Sequence, residues 1–100
     1  MQTLNGSQRR YLRSLANTMK PQVMIGKNGL AAPVLQAIHE ALDDHELIKI
    51  RFLEFKDEKK AMSAEIEKNC RCEMVGMIGH VALFYRQQPD PQKRSIKLPI

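Results

Sequence analysis

The four consecutive residues Gly26-Lys27-Asn28-Gly29 have the types and the spacing to bind the backbone of a nucleic acid. Glycine at both ends permits positive φ angles and lets another backbone approach closely, because no Cβ is in the way. Lys27 and Asn28 add a positive charge and an amide between them. A GxxG loop clamps single-stranded nucleic acid in known binding modules. Because so short a pattern also fits an ordinary glycine turn, its interpretation depends on the surrounding sequence.

This segment lies between a predicted strand and a predicted helix. The apolar run Val23-Met24-Ile25 before it is long enough for a buried strand. After it, Pro33 suits the first position of a helix. Apolar residues then recur at helical spacing, at Val34, Leu35, Ile38, Ala41 and Leu42. The pattern therefore predicts a strand-to-helix loop, with the free N–H groups of the helix terminus directed toward an anion.

Positive charge is concentrated in the same part of the chain. The protein has 100 residues and a net charge of +5. Residues 1–39 contain five basic residues and no Asp or Glu, whereas eleven basic and eleven acidic residues balance from Glu40 onward. The five are Arg9, Arg10, Arg13, Lys20 and Lys27. A basic region that includes an anion-binding loop predicts a polyanionic partner, although a solvated basic helix would explain the arginines alone.

The first helix is predicted to carry most of these cations. Ser7 can cap a helix that runs to about Met19 and is ended by Pro21. One side of this helix is apolar, formed by Tyr11, Leu12, Leu15 and Met19. A neighbouring side is basic, formed by Arg9, Arg13 and Lys20, with Arg10 slightly further round. The helix can therefore bury an apolar stripe and present a basic row.

A second strand is predicted from Glu46 to Phe55. Its apolar residues Ile48, Ile50 and Phe52 alternate with Lys49 and Arg51, which places the two cations on the opposite face. Lys49 and Arg51 could extend an RNA-binding surface, or they could simply solvate the outer face of a sheet.

The remaining elements are a helix and a hairpin. Asp57 can cap a third helix that begins near Glu58 and buries Met62, Ile66 and Cys70. Two apolar runs, 74–78 and 81–85, meet at Gly79-His80 and predict a β-hairpin.

The chain length suits one compact domain, which we assign to residues 1–88. Residues 89–100 form a basic tail, either mobile or added as a short edge strand through Ile96, Leu98 and Ile100. No apolar run approaches the ~20 residues that span a bilayer, and the N-terminus lacks a signal-peptide core. We therefore expect a cytoplasmic protein without a membrane partner.

Catalytic and metal-binding chemistry has little support in the sequence. The cluster Asp43-Asp44-His45-Glu46 combines carboxylates with a histidine, but a solvated helix end explains it. A nucleotide-binding P-loop would need Ser or Thr after Lys27, where Asn28 stands. Cys70 and Cys72 are poorly spaced for a disulfide framework and too few for a structural zinc. We expect no enzyme, cofactor, metal site or small-molecule substrate.

The predicted order α-β-α-β-α-β-β describes an α/β domain, a small mixed sheet with helices packed on it. Within this order, three motifs resemble those of the CRM domain (chloroplast RNA splicing and ribosome maturation), at 23–30, 45–50 and 78–86. The resemblance covers about residues 4–86 and is to the bacterial single-domain, YhbY-type proteins. One departure is Ala31, where a helix-capping hydroxyl is common in the family.

The resemblance implies an RNA-binding domain without catalytic activity, and a fold similar to the C-terminal domain of bacterial translation initiation factor three. It implies that Gly26-Lys27-Asn28-Gly29 contacts RNA. Bacterial single-domain members are associated with precursors of the large ribosomal subunit, so the implied partner is ribosomal RNA, bound by a monomer. The alternative is a protein-interaction module that docks an acidic partner through the same basic face.

Overall fold

The computed structural model describes residues 3–100. Within these residues, three helices and four strands follow one another as α1 (Gly6–Ala16), β1 (Val23–Ile25), α2 (Ala32–His45), β2 (Leu47–Phe52), α3 (Lys59–Cys70), β3 (Glu73–Ile78) and β4 (Val81–Tyr85). Short 3-10 turns, Lys56–Glu58 and Pro91–Lys93, precede α3 and follow β4. The predicted α/β order is confirmed. No helix in this part of the chain is both long and apolar enough to cross a membrane.

The strands form one mixed sheet in the order β1-β2-β4-β3. β1 is parallel to β2, whereas β4 is antiparallel to both of its neighbours. Because β1 and β2 end at the same side and the hairpin turns there, one end of the sheet gathers three connecting segments. We call this the loop end of the sheet, formed by residues 26–29, 53–58 and 79–80.

Both faces of the sheet are covered, each by different helices. Alternating strand residues bury one face against α2 and α3, namely Val23, Ile25, Ile48, Ile50, Phe52, Ala82 and Phe84. The opposite face packs against α1 and contributes Leu47, Val75, Leu83 and Tyr85. The face that carries Lys49 and Arg51 is therefore not wholly an outer surface, since α1 covers it at the Leu47 end.

The first helix begins and ends earlier than the sequence predicts. Asn5, not Ser7, caps α1: its side chain accepts from Gln8 N at 2.8 Å, and the Gln8 side chain accepts from Asn5 N at 3.0 Å. This reciprocal pair is a capping box, which satisfies two N–H groups at once. The helix stops at Ala16 rather than Met19, because Asn17 and Thr18 are poor helix formers and the chain turns there.

The second strand is also shorter than predicted. β2 ends at Phe52, and the N–H groups of Leu53 and Glu54 both donate to the Ile25 carbonyl, which turns the chain away from the sheet. Phe55 then adopts a left-handed conformation with φ 58°. Asp57 does not cap α3; it lies in the 3-10 turn, and α3 starts at Lys59 without a side-chain cap.

The C-terminal segment does not form an edge strand but packs on the domain. Residues 94–100 have no strand pairing, and Ile96 and Leu98 pack against the α1 face of the sheet. The anchor is the buried Glu46, whose carboxylate accepts from the N–H groups of Gln88 (2.8 Å), Ser95 (2.8 Å) and Ile96 (3.0 Å). Glu46 belonged to the cluster weighed for acid–base chemistry, and its carboxylate is used to hold this segment.

Glu46 makes the attachment of this segment sensitive to pH. Burial raises the pKa of Glu46, but the hydrogen bonds from Gln88, Ser95 and Ile96 lower it, and the net result is a pKa below the usual value. A carboxylate of this kind stabilises the fold above its unfolded pKa of about 4.3, and the stabilisation is lost as the pH falls through the lower folded pKa.

We expect Glu46→Gln to lose about 1–3 kcal/mol of unfolding free energy at pH 7, because the amide N–H₂ cannot replace one carboxylate oxygen as acceptor. Denaturant melts of both proteins between pH 7 and pH 3 should show the difference shrinking below about pH 5. A difference that stays constant across this range would contradict the assigned role of the ionised carboxylate.

Candidate nucleic-acid interface

The loop after β1 is a closed turn with an exposed tip. Gly29 N donates to the Gly26 carbonyl at 3.1 Å, and the side chains of Lys27 and Asn28 are exposed. Only Gly29 uses the positive φ that the sequence allowed at both glycines, with a φ of 60°. The loop therefore presents a cation and an amide from a backbone that is held in place by its own hydrogen bond.

The two glycines face different surroundings. A Cβ built on Gly29 would lie 3.5 Å from Phe55 Cε2 and 3.7 Å from Met62 Cε, so this side of the loop rests on the protein. A Cβ on Gly26 would meet no atom within 4 Å. The Gly26 side of the loop is consequently the open side, where another backbone can approach.

The N-terminus of α2 offers fewer free donors than predicted. As expected, Ala31 provides no side-chain cap. Pro33 has no N–H group, however, and Val34 N donates to the Ala31 carbonyl at 3.0 Å. Anion binding at this position therefore depends more on Lys27 and the loop than on the helix terminus.

The predicted basic row on α1 is partly used to hold the helix on the sheet. Arg9 forms an ion pair with Glu73 and donates to the Met74 carbonyl at 3.2 Å. Arg13 donates to the Val75 carbonyl at 2.9 Å. A Cβ at Gly76 would lie 2.9 Å from Arg13 Cδ, so glycine at 76 makes room for this side chain.

These contacts occupy carbonyl groups of β3, an edge strand that would otherwise invite pairing with another chain. Arg9 and Arg13 thus make contacts with β3, although the Arg13 side chain is itself exposed. Arg10, on the same helix, and Lys20, just before β1, are exposed as well. Two of the four cations predicted for the basic row, Arg9 and Arg13, therefore hold α1 on β3.

The two cations of β2 also differ. Lys49 is half-buried, and its Nζ donates to the Met19 carbonyl at 2.8 Å. Arg51 is exposed and lies beside Met24, its partner in the register with β1. Arg51 is next to the last residue of β2, so it lies near the loop end of the sheet, where β1 leads into Lys27. It is exposed there because α1 does not cover this end of the face.

The two cysteines and the acidic cluster at Asp43 were the other residues considered for chemistry. Burial raises the pKa of the Cys72 thiol to about 12 and also raises the pKa of Cys70, which removes both as thiolate nucleophiles at neutral pH. Asp43 pairs with Arg86 at 2.9 Å. In the part of the chain that the structure describes, no three His, Cys, Asp or Glu side chains are grouped to hold a metal ion.

Arg86, the last residue of the third sequence motif, has a structural role. Its guanidinium donates to the carbonyl oxygens of Cys70 at 2.7 Å and His39 at 3.0 Å. Together with the Asp43 pair, these bonds join the ends of α2, α3 and β4. Arg86 therefore lies at the opposite end of the sheet from the loop end.

Comparison with known families supports the motif analysis. The model of the CRS1 / YhbY (CRM) domain matches residues 4–86, the range over which the sequence motifs extend. The chain belongs to this family.

Two relatives of this CRM domain match it over most of their length. The Probable RNA-binding protein PA4753 of Pseudomonas aeruginosa is 36% identical over 91 residues, 90% of this chain and 88% of that protein. An RNA-binding protein of Haemophilus influenzae is 36% identical over 100 residues, 99% of this chain and 98% of that protein. Both names describe RNA binding and no catalytic activity, which agrees with the expectation that this chain is not an enzyme.

A solved structure confirms the fold of this CRM domain. The solution structure of the hypothetical protein SAV1595 from Staphylococcus aureus superposes with a TM-score of 0.81 at 36% identity, and the match covers 97% of this chain and 100% of that one. The shared fold is the single α/β domain with three helices and a mixed four-strand sheet.

Sequence reasoning missed the segment after β2 as part of this surface. Leu53, Phe55 and Lys56 are exposed at the loop end, beside Lys27. The predicted strand, 46–55, included Leu53 and Phe55. The apolar alternation of Ile48, Ile50 and Phe52 stops at Glu54, so periodicity alone did not support extending the strand this far. The sequence does contain a signal for this segment, namely an aromatic residue among charged neighbours in the run Leu53-Glu54-Phe55-Lys56-Asp57.

Proposed function

We propose that this CRM domain binds single-stranded ribosomal RNA at the loop end of its sheet and acts in the cytoplasm, in assembly of the large ribosomal subunit. The observation that carries the proposal is the Gly26–Gly29 loop. This loop exposes Lys27 and Asn28 and is open on the Gly26 side. The proposal is further supported by the relatives of this chain, which are named as RNA-binding proteins.

The charges around the loop are consistent with a phosphate backbone. Lys27 and Arg51 are exposed at or near the loop end, and Lys20 precedes β1, a three-residue strand that spans only ~10 Å. An RNA of a few nucleotides can therefore reach from the loop to Lys20. Cations placed in this way bind the backbone without reading its sequence.

The ribosomal assignment is supported by the resemblance to bacterial single-domain CRM proteins, which are associated with large-subunit precursors. Cross-linking in cells, followed by sequencing of the attached RNA, tests it directly. We expect reads concentrated in large-subunit ribosomal RNA, and sedimentation of the protein with precursor particles in a sucrose gradient. Reads spread evenly over messenger RNA would contradict the ribosomal assignment while leaving RNA binding intact.

The same basic surface could dock an acidic protein, and nuclease treatment distinguishes the two partners. A native complex held by RNA should release this protein when the RNA is digested. Retention of the protein on its partner after complete digestion would favour the protein-interaction function instead.

The electrostatic part of the proposal predicts a salt dependence. If Arg10, Lys20, Lys27 and Arg51 each neutralise a phosphate, log affinity should fall with log salt at a slope of about −3, from ~0.7 per contact on single strands. Fluorescence anisotropy with a labelled single-stranded RNA measures this slope. Lys27→Ala should make it shallower by about 0.7, whereas Lys68→Ala, on α3, should leave it unchanged. A wild-type slope of zero would contradict the proposed phosphate contacts.

A further inference from the structure

An open cavity of about 500 Å³ lies directly beside the Gly26–Gly29 loop. Its lining includes Leu53 and Phe55, which are 46% and 39% exposed. Charged groups complete the lining, from Lys27, Glu54, Lys56, Asp57 and Glu58. The cavity thus combines apolar, aromatic and charged side chains, among them the cation at the tip of the loop.

Phe55 is held in an unusual position by its surroundings. Its backbone is left-handed, with φ 58° and ψ 37°, which a bulky residue rarely adopts. One edge of its ring supports the underside of the loop at Gly29. Its carbonyl accepts from Glu58 N at 3.0 Å and closes the turn before α3. The ring is therefore fixed on one side by the loop and accessible on the other.

We infer that this cavity holds one unpaired nucleobase, stacked on the ring of Phe55, with its adjoining phosphate on Lys27. This inference rests on the proposed RNA-binding function. The base stack on Phe55 would be a second contact, next to the phosphate contact of the loop. Unpaired bases in single-stranded RNA stack on aromatic side chains, because every base has a flat apolar face. A ring that is fixed and half-exposed loses little conformational freedom when a base covers it.

The carboxylates that line the cavity indicate which bases fit. Glu54, Asp57 and Glu58 would repel a phosphate, whereas the cations Lys27 and Lys56 would attract it. We place the adjoining phosphate at Lys27, because this cation belongs to the loop. Ionised carboxylates only accept hydrogen bonds. Adenine, cytosine and guanine offer an exocyclic amino group, whereas uracil presents carbonyl oxygens and a single ring N–H. The cavity therefore favours a base with an exocyclic amino group over uracil.

A tryptophan in place of Phe55 can report the stack directly. The protein contains no tryptophan, so Phe55→Trp creates a single fluorophore that keeps an aromatic surface in the cavity. Adding a short single-stranded oligoadenylate should quench its emission. The midpoint of this quenching curve should equal the midpoint of the binding curve measured by anisotropy. An oligouridylate of equal length should bind more weakly. Asn69→Trp, at the far end of α3 from the cavity, is the matched control and should not be quenched.

Phe55→Leu provides the corresponding loss of function. We expect its affinity for oligoadenylate to fall by at least about fivefold, the lower end for losing one base–aromatic stack, with the salt slope unchanged. Quenching at Phe55→Trp together with this loss supports the inference. If wild type binds the oligonucleotide but the Phe55→Trp emission stays constant, the stacking inference is wrong and the proposed function stands. If wild type does not bind single-stranded RNA at all, both are wrong.

Discussion

Gly26→Asp is expected to fold like wild type and to lose at least about tenfold in affinity for single-stranded RNA. Gly26 has no positive φ, and a Cβ there would meet no atom within 4 Å, so the substitution fits the folded protein. In the complex, the new side chain occupies the open side of the loop. Its carboxylate also repels a nearby phosphate by about 1 kcal/mol or more.

Gly6→Asp is the matched control for this variant. It adds the same side chain and charge at a glycine that also has no atom within 4 Å of a built Cβ, but in the first turn of α1. Anisotropy titrations and thermal melts of the three proteins give affinity and stability together. A Gly26→Asp protein that melts with wild type and binds as tightly would show that the Gly26–Gly29 loop is only a turn.

Ile50→Ala is expected to lose about 2–5 kcal/mol of unfolding free energy, the usual cost of emptying a fully buried site of this size. Ile50 is 0% exposed and belongs to the core between the sheet and the helices α2 and α3. Leu83→Ala should cost a similar amount from the other side, because Leu83 is buried beneath α1. The two substitutions therefore test both cores of a two-faced sheet.

Glu65→Ala, on the exposed face of α3, is the control and should stay within about 0.5 kcal/mol of wild type. Denaturant melts of the four proteins measure these differences. Equal changes at all three positions would contradict the burial pattern. A large change at Ile50 with none at Leu83 would mean that α1 does not pack on the sheet as described.

Local patterns in the sequence were sufficient for the main elements. Alternation at Ile48, Ile50 and Phe52 predicted the buried face of β2, because side chains of a strand alternate between faces. Glycine at 79 predicted the hairpin turn, where it has a φ of 59°. The apolar run of β1 and the proline in the first turn of α2 together predicted the bounds of the connecting loop to within a residue.

Errors occurred where two local signals competed. Asn5 and Ser7 are both good capping residues, and Gln8 decides between them because it lies three positions after Asn5. Phe55 is of a type that strands favour, but the Ile25 carbonyl accepts from the N–H groups of Leu53 and Glu54, and the strand ends at Phe52. The same turn places Phe55 under the loop, which periodicity alone does not indicate.

Long-range contacts were beyond reach of sequence patterns. Helical spacing placed Arg9 and Arg13 on one basic row. Their hydrogen-bond partners on β3, however, are more than sixty residues away in the sequence. Glu46 binds Ser95 and Ile96 across about fifty residues, which attaches a segment predicted as a tail or strand. In both cases a charged side chain satisfies backbone groups of a distant segment, and helix or strand periodicity carries no information on that pairing.

The distribution of cations now has a physical explanation. Arg9, Arg13 and Lys49 donate to backbone carbonyls and hold α1, β3 and the segment before β1 together. Lys27 and Arg51 are exposed at or near the loop end. A binding surface therefore cannot be inferred from net charge alone, because part of the positive charge is consumed by the fold.

The most direct test of the account is an NMR titration of the ¹⁵N-labelled protein with a short single-stranded RNA. We predict that the largest amide shifts occur at residues 26–29 and 53–56, on neighbouring segments of the loop end. Amides at the C-terminal end of α3, residues 67–70, should move little. Saturable binding with the largest shifts confined to α3, and none at the Gly26–Gly29 loop, would contradict the central claim.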